Sequence, residues 1–551
     1  MTYVGPESDE VEPPGTRVVL SGLVGAAALI AAITIAARVI GFGRIVVFAR
    51  AVGPASCLGN AYFTANTVPN IVFEIVAGGA LASLVVPVLA GPAARGSREQ
   101  TQQTVSALLT WTVLLLTPFA VAGIWLAHPI MSVLVGDSGR CPPDQVVNTG
   151  TRMLWVFLPQ IVLYGVGIIL AGTLQAHRRF AGPALAPLLS SLVVIATYLV
   201  FAAVFSGNPN NLADVSRTNE LILSVGTTLG VAALTLSLLV PLRRVGMRLR
   251  PTLHFPIGVA SRIRVLAAAG VTTLLAQEAA VVVVLRLANN AGPRGAVTVY
   301  NLAWTVFLLP WAVLAVPIAT SAFPRLSEHA DVGDIEEFSR TSSRSTRAVL
   351  LVTCVAAAVL IAAAEPIARI LAQHGPGATP MDVHALARAI AAFAPGLIGY
   401  GLIAHLGRAL YARGRGRVAA TATVAGWVAV IVADLALVGT LSRPDTVPAL
   451  ALGNSIGMSV AGLLLGWALL RVAPAGLHGC WRTSVVALVG AALAATVGRL
   501  LANATSSTAV LTNIATAALV GAVCVLLFVV VVGLIDRSAL RDLRDRATSY
   551  A

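Results

Sequence analysis

The chain has 551 residues, of which 57% are hydrophobic and 11% are charged, and its mean hydropathy is +0.86. This composition excludes a water-soluble globular protein and indicates a membrane protein with many spans. The formal net charge of +14 would suit nucleic acid, but the basic residues lie in short loops beside apolar segments, which favours membrane topology and attraction to anionic lipid.

The acidic, proline-containing residues 1–17 predict a disordered tail, and they lack the basic segment of a cleavable signal peptide. Apolar segments then follow one another, each long enough to cross a hydrocarbon core of roughly 30 Å as a helix. Their polarity does not alternate from residue to residue, which excludes a membrane β-barrel. The chain therefore predicts an all-α protein with about fourteen spans, at 20–49, 58–90, 104–127, 150–174, 184–205, 219–241, 263–288, 296–323, 346–372, 384–411, 418–441, 447–470, 481–501 and 510–535.

Arginine decides the predicted topology, because all 37 residues counted as lysine or arginine are arginine. The loops that follow even-numbered spans hold most of them, and residues 536–551 add four more. Loops rich in positive charge stay on the cytoplasmic side of a membrane. We therefore predict that both termini lie in the cytoplasm.

The five cysteines form no CxxC pair and have no histidine cluster beside them, so neither a metal site nor a thiol redox site is expected. Most of them are expected to be packing residues. Cys57 and Cys141 both fall on the predicted outer side and could form a disulfide, but packing is the favoured interpretation.

Six of the ionisable residues inside predicted spans stand out because membrane topology does not explain them. A charge near the bilayer centre costs at least roughly 2.5 to 3.5 kcal/mol, so such groups face a bundle interior or a water-filled cavity. One interpretation is an ion pair, such as Glu74 with Arg44, and the other is an anionic substrate. The substrate is favoured because arginines outnumber acids in the spans of the first half. The six residues are Arg38, Arg44, Glu74, Glu278, Arg286 and Asp434.

Gly41 and Gly43 lie between the two arginines of the first span. In an unbroken helix Arg38 and Arg44 point about 120° away from each other, and a bend at the glycines would turn both into one cavity. The planar guanidinium donates paired hydrogen bonds to phosphate oxygens, so two or three of them around one site favour a diphosphate. Gly41 and Gly43 are therefore hinge candidates.

The segment ARVIGFGRIVVFARAVG, followed by NAYFTANTVPNIVFEIVAGGALASLVVPVLAG, resembles the MurJ (MviN) lipid II flippases of the multidrug/oligosaccharidyl-lipid/polysaccharide exporter superfamily. Two later segments, GTLQAHRRFAGPALAP and LPWAVLAVPIATSAFPRLS, are similar to that family as well. The residues that match the family pattern are Arg38, Gly41, Phe42, Arg44, Tyr62, Phe63, Pro69, Asn70, Gly79, Ala80 and Pro87.

The resemblance implies two six-helix lobes around a central cationic cavity, at residues 18–241 and 242–471. It also implies two further helices at 472–535 that form a groove for a lipid tail, before a cytoplasmic tail at 536–551. The implied cargo is lipid II, the undecaprenyl-diphosphate-linked cell-wall precursor, moved by alternating access from the inner to the outer leaflet of the bacterial cytoplasmic membrane. No covalent chemistry, and hence no enzyme activity or cofactor, is expected.

The chain departs from the family pattern at several positions. Ile45 and Asn60 stand where many members have acids, Glu74 stands where arginine is common, and the start of span 8 lacks an arginine and an acid. The cargo is therefore either lipid II or another polyprenyl-linked glycan. A multidrug exporter of the same superfamily is a further alternative, but such proteins usually have twelve spans and acidic cavities. No loop carries the carboxylate or nucleophile cluster of a membrane glycosyltransferase or phosphatase, and a scaffold without transport remains open.

The predicted substrate contacts are centred on Arg38 and Arg44. Arg286, near the predicted outer end of span 7, is expected to supply from the second lobe the cation that relatives carry in span 8, with snorkelling to the interface as the alternative. Glu278 and Asp434 are candidates for ion or proton coupling, or else buried structural partners. A coupling cation, membrane lipids and the cell-wall synthesis machinery are candidate partners of an expected monomer, and nucleic acid and metal are not expected. The full set of predicted substrate contacts is Arg38, Arg44, Asn60, Asn70, Glu74 and Arg286.

Overall fold

The computed structural model describes residues 16–75, 98–136, 141–177, 179–247, 249–255, 259–376, 378–505 and 507–536. Within these ranges every regular element is a helix, which confirms the predicted fold class. The longer helices are α1 (Thr16–Ala51), α2 (Cys57–Phe73), α3 (Arg98–Trp125), α4 (Ala127–Val135), α5 (Pro143–Phe157), α6 (Gln160–Ala176), α7 (Ala181–Val204), α8 (Arg217–Ser237), α9 (Leu239–Arg243), α10 (Val259–Ala291), α11 (Ala296–Pro310), α12 (Val316–Asp331), α13 (Ile335–Ala362), α14 (Ala364–Ala372), α15 (Pro380–Phe393), α16 (Gly396–Ala412), α17 (Gly416–Thr440), α18 (Thr446–Val472), α19 (Cys480–Ala504) and α20 (Val510–Ile535).

Thirteen helical segments of the described chain are long and apolar enough to cross a membrane. They coincide with every predicted span except the second, of which the structure describes α2. The predicted total of fourteen therefore stays a prediction. The two tails, apart from residues 16, 17 and 536, and the motif residues Gly79, Ala80 and Pro87 lie outside the described residues.

Helix starts follow local capping chemistry. The Ser56 hydroxyl accepts a hydrogen bond from the Gly59 N–H at 2.9 Å and caps α2. Thr379 and Asp382 form a capping box at the start of α15, where Pro380 occupies the first turn. These contacts satisfy N–H groups that a helix end leaves without partners. Polar residues between apolar runs thus define where several spans begin.

The helices form two bundles and a C-terminal pair. We call α1 to α9 the N-bundle, α10 to α18 the C-bundle, and α19 with α20 the tail pair. The tail pair packs on α13 of the C-bundle through an apolar cluster that includes Leu351, Cys354, Val520 and Phe528. We call the end of the molecule that carries the loop between α1 and α2 the first-loop end; the bundles approach closely there, at Gly295 with Ala55 and at Gly375 with Ala49.

A disulfide joins Cys57 to Cys141 at the first-loop end, with their Cα atoms 5.5 Å apart. The favoured interpretation of these two cysteines as packing residues is therefore wrong, because the start of α2 and the segment before α5 bring them together. Cys354, Cys480 and Cys524 are buried free thiols, as expected of packing residues.

Removal of this disulfide is expected to destabilise the N-bundle. The bond spans 84 residues of sequence. Such a link lowers the conformational entropy of the unfolded chain and so raises the free energy of unfolding by about 2 to 4 kcal/mol. The double variant Cys57→Ser/Cys141→Ser should melt several degrees lower than the unchanged protein in a detergent thermal-shift assay. Reductant should lower the melting temperature of the unchanged protein and of a Cys354→Ala control, but not that of the double variant; equal sensitivity of all three would contradict the assignment.

Candidate functional site

A cavity of about 820 Å³ lies between the two bundles. Helices α1, α2, α6, α7 and α8 of the N-bundle and α11 of the C-bundle contribute to its wall. Arg38, Gly41, Arg44 and Asn70 of the predicted site all line it. The Arg38 side chain is exposed, and Arg44 is half-buried. The structure thus brings the two arginines of the first span to one cavity.

Both arginines reach the cavity without a break in the helix. Helix α1 is continuous over 36 residues, and its cavity face is broad enough to include Thr34, Ala37, Phe42 and Ile45. Gly41 and Gly43 stay hinge candidates, because an uninterrupted helix can still bend. Among the described residues no atom of another element lies within 4 Å of a Cβ built on Gly41 or Gly43, so close packing there does not require either glycine.

Neutral polar groups line the same cavity as the arginines. Asn66 and Asn70 lie one turn apart on α2, and Asn301 and Thr305 lie one turn apart on α11. Asn70 Nδ2 donates to the Asn66 carbonyl at 2.9 Å, and Asn301 Nδ2 donates to the Val297 carbonyl at 2.9 Å. Sequence reasoning missed Asn66 and Asn301, although polar amides at helical spacing inside apolar segments were a usable signal.

Buried aromatic residues support the N-bundle side of the cavity. The Tyr62 hydroxyl lies 2.9 Å from the Tyr198 hydroxyl and 2.8 Å from Thr227 Oγ1. Phe48 packs against both tyrosine rings, with centroid distances of 5.3 and 5.2 Å. The motif residue Tyr62 therefore stabilises the N-bundle wall behind the arginines.

Asn60 does not line the cavity but joins the two bundles. Its Nδ2 donates to Asn289 Oδ1 at 3.3 Å, and its Oδ1 accepts from the N–H groups of Val297 at 3.1 Å and Thr298 at 3.4 Å. Helix α11 begins without a side-chain cap of its own, so Asn60 satisfies its first-turn N–H groups from the other bundle. This corrects the predicted role of Asn60 as a substrate contact.

Asn289 completes this contact from the C-bundle. Its Nδ2 donates to Thr64 Oγ1 at 3.1 Å and to the Leu134 carbonyl at 3.3 Å. Gly295, with φ +73°, lies so close to the Ala55 backbone that a Cβ would stand 2.1 Å from its carbonyl carbon. We call Asn60, Thr64 and Asn289 the amide clasp; it closes the first-loop end about two helical turns beyond the cavity amides.

Arg286 lies outside the cavity. Its side chain is exposed, and its Nη1 donates to the Val133 carbonyl in the last turn of α4. A cation near a helix C-terminus is favourable because the last carbonyls lack partners and carry partial negative charge. The expectation that Arg286 lines the cavity is therefore wrong in this conformation, where it bridges the two bundles instead.

Glu74 and Glu278 meet across the two bundles through one amide. Gln277 Nε2 donates to Glu74 Oε2 at 2.5 Å and to Glu278 Oε1 at 3.2 Å. Glu74 is exposed and Glu278 is buried. In the described part of the chain neither carboxyl forms an ion pair with an arginine, so the alternative interpretation of Glu74 as a partner of Arg44 is not supported. Glu74, a predicted substrate contact, is not among the residues that line the cavity.

Asp434 lies inside the C-bundle, on α17, with no exposed surface. Among the described residues, neither of its carboxyl oxygens has a hydrogen-bond partner, and the same holds for Asn454 Oδ1 on α18. A Cβ on Gly453 would come within 1.9 Å of Asp434 Oδ1, so α18 passes close to this carboxyl group. Buried oxygens without partners are costly, and a bound cation or proton would satisfy them.

Two helical bundles that enclose a cavity with two arginines, and that are joined by polar contacts at one end, define a polytopic membrane transporter. The family model described as "Lipid II flippase MurJ" matches residues 48–521. The chain therefore belongs to the MurJ lipid II flippase family.

Individual relatives agree with this assignment. The lipid II flippase MurJ of Burkholderia cenocepacia is 26% identical over 378 residues, which cover 65% of this chain and 67% of that protein. A probable lipid II flippase MurJ of Rhizobium tropici is 24% identical over 360 residues, covering 65% and 64%. Among solved structures, "Lipid II flippase MurJ, inward closed conformation" matches with a TM-score of 0.73 at 18% identity, over 93% of this chain and 100% of that one. An inward-facing multidrug resistance MATE transporter matches with a TM-score of 0.64 at 14% identity, over 80% and 96%.

Proposed function

We propose that this protein moves undecaprenyl-diphosphate-linked peptidoglycan precursor, lipid II, from the inner to the outer leaflet of the cytoplasmic membrane. The observation that carries the proposal is the pair Arg38 and Arg44 on one wall of a cavity between two bundles. Their guanidinium groups match the acceptor oxygens of a diphosphate in charge and geometry. The test is depletion of the host's own lipid II flippase: expression of this chain should restore growth and the exposure of lipid II on the outer leaflet.

The amide clasp supports an alternating-access cycle. The positive-inside rule puts the first-loop end outside and both termini in the cytoplasm. The clasp then closes the cavity toward the outside, so loading takes place from the cytoplasmic leaflet. Release requires the hydrogen bonds of Asn60 and Asn289 to break and the bundles to separate at that end, with Gly41 and Gly43 as hinge candidates in α1. The N-bundle and the C-bundle are the two moving lobes of this proposal, and the tail pair forms the lipid groove.

A related exporter of another polyprenyl-linked glycan is the second candidate. It is favoured by the departures Ile45, Asn60 and Glu74 from the common family pattern. A multidrug exporter fits less well, because two arginines line the cavity, whereas cation exporters need acidic groups there. Expression of this chain in a strain depleted of its own lipid II flippase separates the first two candidates, because only a lipid II flippase should restore growth.

Two carboxyl groups are proposed to couple transport to an ion. Both carboxyl oxygens of Asp434 are buried and, among the described residues, have no hydrogen-bond partner, which suits a monovalent cation or a proton. Glu278 shares the Gln277 amide with Glu74, and two carboxylates this close repel unless one is protonated or the bundles part. Return of the empty cavity with a cation would follow the inside-negative membrane potential, as outward movement of the anionic cargo does.

The Asp434→Asn variant is expected to flip lipid without dependence on the coupling ion. Asparagine keeps the shape of the side chain and removes its charge, so the C-bundle should fold and melt at least as high as before. Flipping in proteoliposomes, measured with sodium gradients and with proton gradients in turn, should respond to one of them in the unchanged protein and to neither in the variant. A variant that keeps the full response to the gradient would exclude Asp434 as the coupling site. The Glu278→Gln variant then tests the other candidate.

The Arg286→Leu variant is expected to bind cargo normally. Because Arg286 contacts the Val133 carbonyl and not the cavity, its loss should leave the dissociation constant for undecaprenyl diphosphate within about twofold. The variant should instead weaken closure of the first-loop end, detected as faster labelling of that end from outside. A large loss of affinity would restore the proposal that Arg286 supplies the second-lobe cation.

A further inference from the structure

Three asparagines contribute to the lining of the cavity between the bundles. Asn66 and Asn70 come from α2 of the N-bundle, and Asn301 comes from α11 of the C-bundle. All three line the same cavity as Arg38 and Arg44. The cavity therefore carries both cationic groups and neutral polar groups, which can contact different parts of one ligand.

The hydrogen bonds of these amides fix which atom is left for a ligand. The Nδ2 atoms of Asn70 and Asn301 each donate at 2.9 Å to the carbonyl four residues earlier on the same helix. A backbone carbonyl only accepts, so the amide nitrogen must face it and the Oδ1 atom is directed away. Asn66 Oδ1 is buried and, within the described residues, has no hydrogen-bond partner. Asn70 and Asn301 thus offer acceptor oxygens, and Asn66 Oδ1 is an unsatisfied acceptor on a residue that lines the same cavity.

These acceptors do not suit the group that the arginines bind. An ionised diphosphate only accepts hydrogen bonds, so it is matched by guanidinium donors and not by amide oxygens. Ligand hydroxyl and N–H groups are donors, and a sugar attached to a diphosphate carries several of them. Leaving a buried acceptor without a donor costs more free energy than the hydrogen bond itself contributes. The asparagine acceptors therefore discriminate against a ligand that lacks donors.

We propose that Asn66, Asn70 and Asn301 recognise the glycan of the cargo through its O–H and N–H groups, while Arg38 and Arg44 hold its diphosphate. This inference rests on the proposed function, since it requires a diphosphate-linked glycan as cargo. Asn301 makes the C-bundle a partner in glycan recognition, although both arginines come from the N-bundle. Thr305, whose Oγ1 donates to the Asn301 carbonyl at 2.9 Å, adds a hydroxyl on the same helix face.

The test compares lipids with and without sugar. Dissociation constants of the full-length protein in nanodiscs are measured for lipid II, for undecaprenyl-diphosphate-linked N-acetylglucosamine, and for undecaprenyl diphosphate alone. The double variant Asn66→Ala/Asn301→Ala should lose about tenfold in affinity for both glycolipids, as expected for two lost hydrogen bonds, and less than twofold for undecaprenyl diphosphate. Asn503→Ala, at an exposed position of the tail pair, is the matched control and should change none of the three.

Equal losses of affinity for all three lipids, or no loss for either glycolipid, would overturn the proposal that the three asparagines recognise the glycan. A change of local structure is separated from loss of recognition by Asn301→Ser with Asn66→Ser, which restores small acceptors and should recover part of the glycolipid affinity only. If the unchanged protein binds the monosaccharide lipid but not lipid II, the proposed cargo is wrong. The selectivity of the double variant then still tests whether the asparagines recognise a glycan.

Discussion

Alanine at Arg38 or Arg44 should reduce affinity for undecaprenyl diphosphate by about tenfold to a hundredfold and abolish rescue of a flippase-depleted strain. Each guanidinium contributes charge-assisted hydrogen bonds worth roughly 1.5 to 3 kcal/mol, which the neutral donors of the cavity lining do not replace. Lysine should restore little, because its ammonium group lacks the planar fork that binds two phosphate oxygens. The measurement is lipid binding in nanodiscs together with growth of the depleted strain.

Arg50 supplies the matched control for this experiment. It lies on the same helix and is exposed, but it does not line the cavity. Arg50→Ala should leave binding and growth unchanged while removing the same charge from α1. Variants at Arg38 and Arg44 that accumulate normally and bind as well as Arg50→Ala would sink the diphosphate assignment.

Loss of the amide clasp should open the first-loop end. Asn60→Ala removes one bond to Asn289 and leaves the N–H groups of Val297 and Thr298 without their acceptor. Each buried group left without a partner costs about 1 to 3 kcal/mol, so the balance between closed and open bundles should shift roughly tenfold or more. Spin labels can be attached at the exposed residues Asp144 and His384, one on each bundle. Pulsed electron paramagnetic resonance should then detect an added population with a longer distance between the two labels.

The Asn60→Asp variant separates the two kinds of contact in the clasp. A carboxylate still accepts from the Val297 and Thr298 N–H groups, but it cannot donate to Asn289. Its distance distribution should therefore lie between those of the unchanged protein and Asn60→Ala. A clasp with no part in closure would instead leave all three distributions the same, and Asn60 would then be a local cap of α11 only.

The spans could be predicted from the sequence because insertion depends on local composition. Segments of about 20 apolar residues form helices wherever they stand, since the membrane offers the backbone no other partners. Helix α20, predicted at 510–535, begins and ends at those residues in the structure. Arg38 and Arg44 could be selected for the same reason, as a charge in an apolar run is visible without any knowledge of the fold.

The neutral amides gave a weaker signal, and their roles depend on long-range contacts. Asn60 and Asn289 are 229 residues apart, and the hydrogen bond between them becomes visible only when α2 and α10 are placed side by side. Asn66 and Asn301 carry no charge, so they cost less in an apolar helix than an arginine does and stand out less in the sequence. The disulfide of Cys57 with Cys141 likewise depended on which loops meet.

Local hydropathy and charge are enough to predict the all-helical membrane class, the positions of the spans and the two arginines of α1. Which side chains share a space depends on how the helices pack. The tertiary structure put Asn66 and Asn301 on the cavity wall, moved Asn60 to the contact between bundles, and turned Arg286 toward the Val133 carbonyl. The physical reason is that composition controls whether a helix enters the membrane, whereas helix rotation and packing control which of its faces meets a partner.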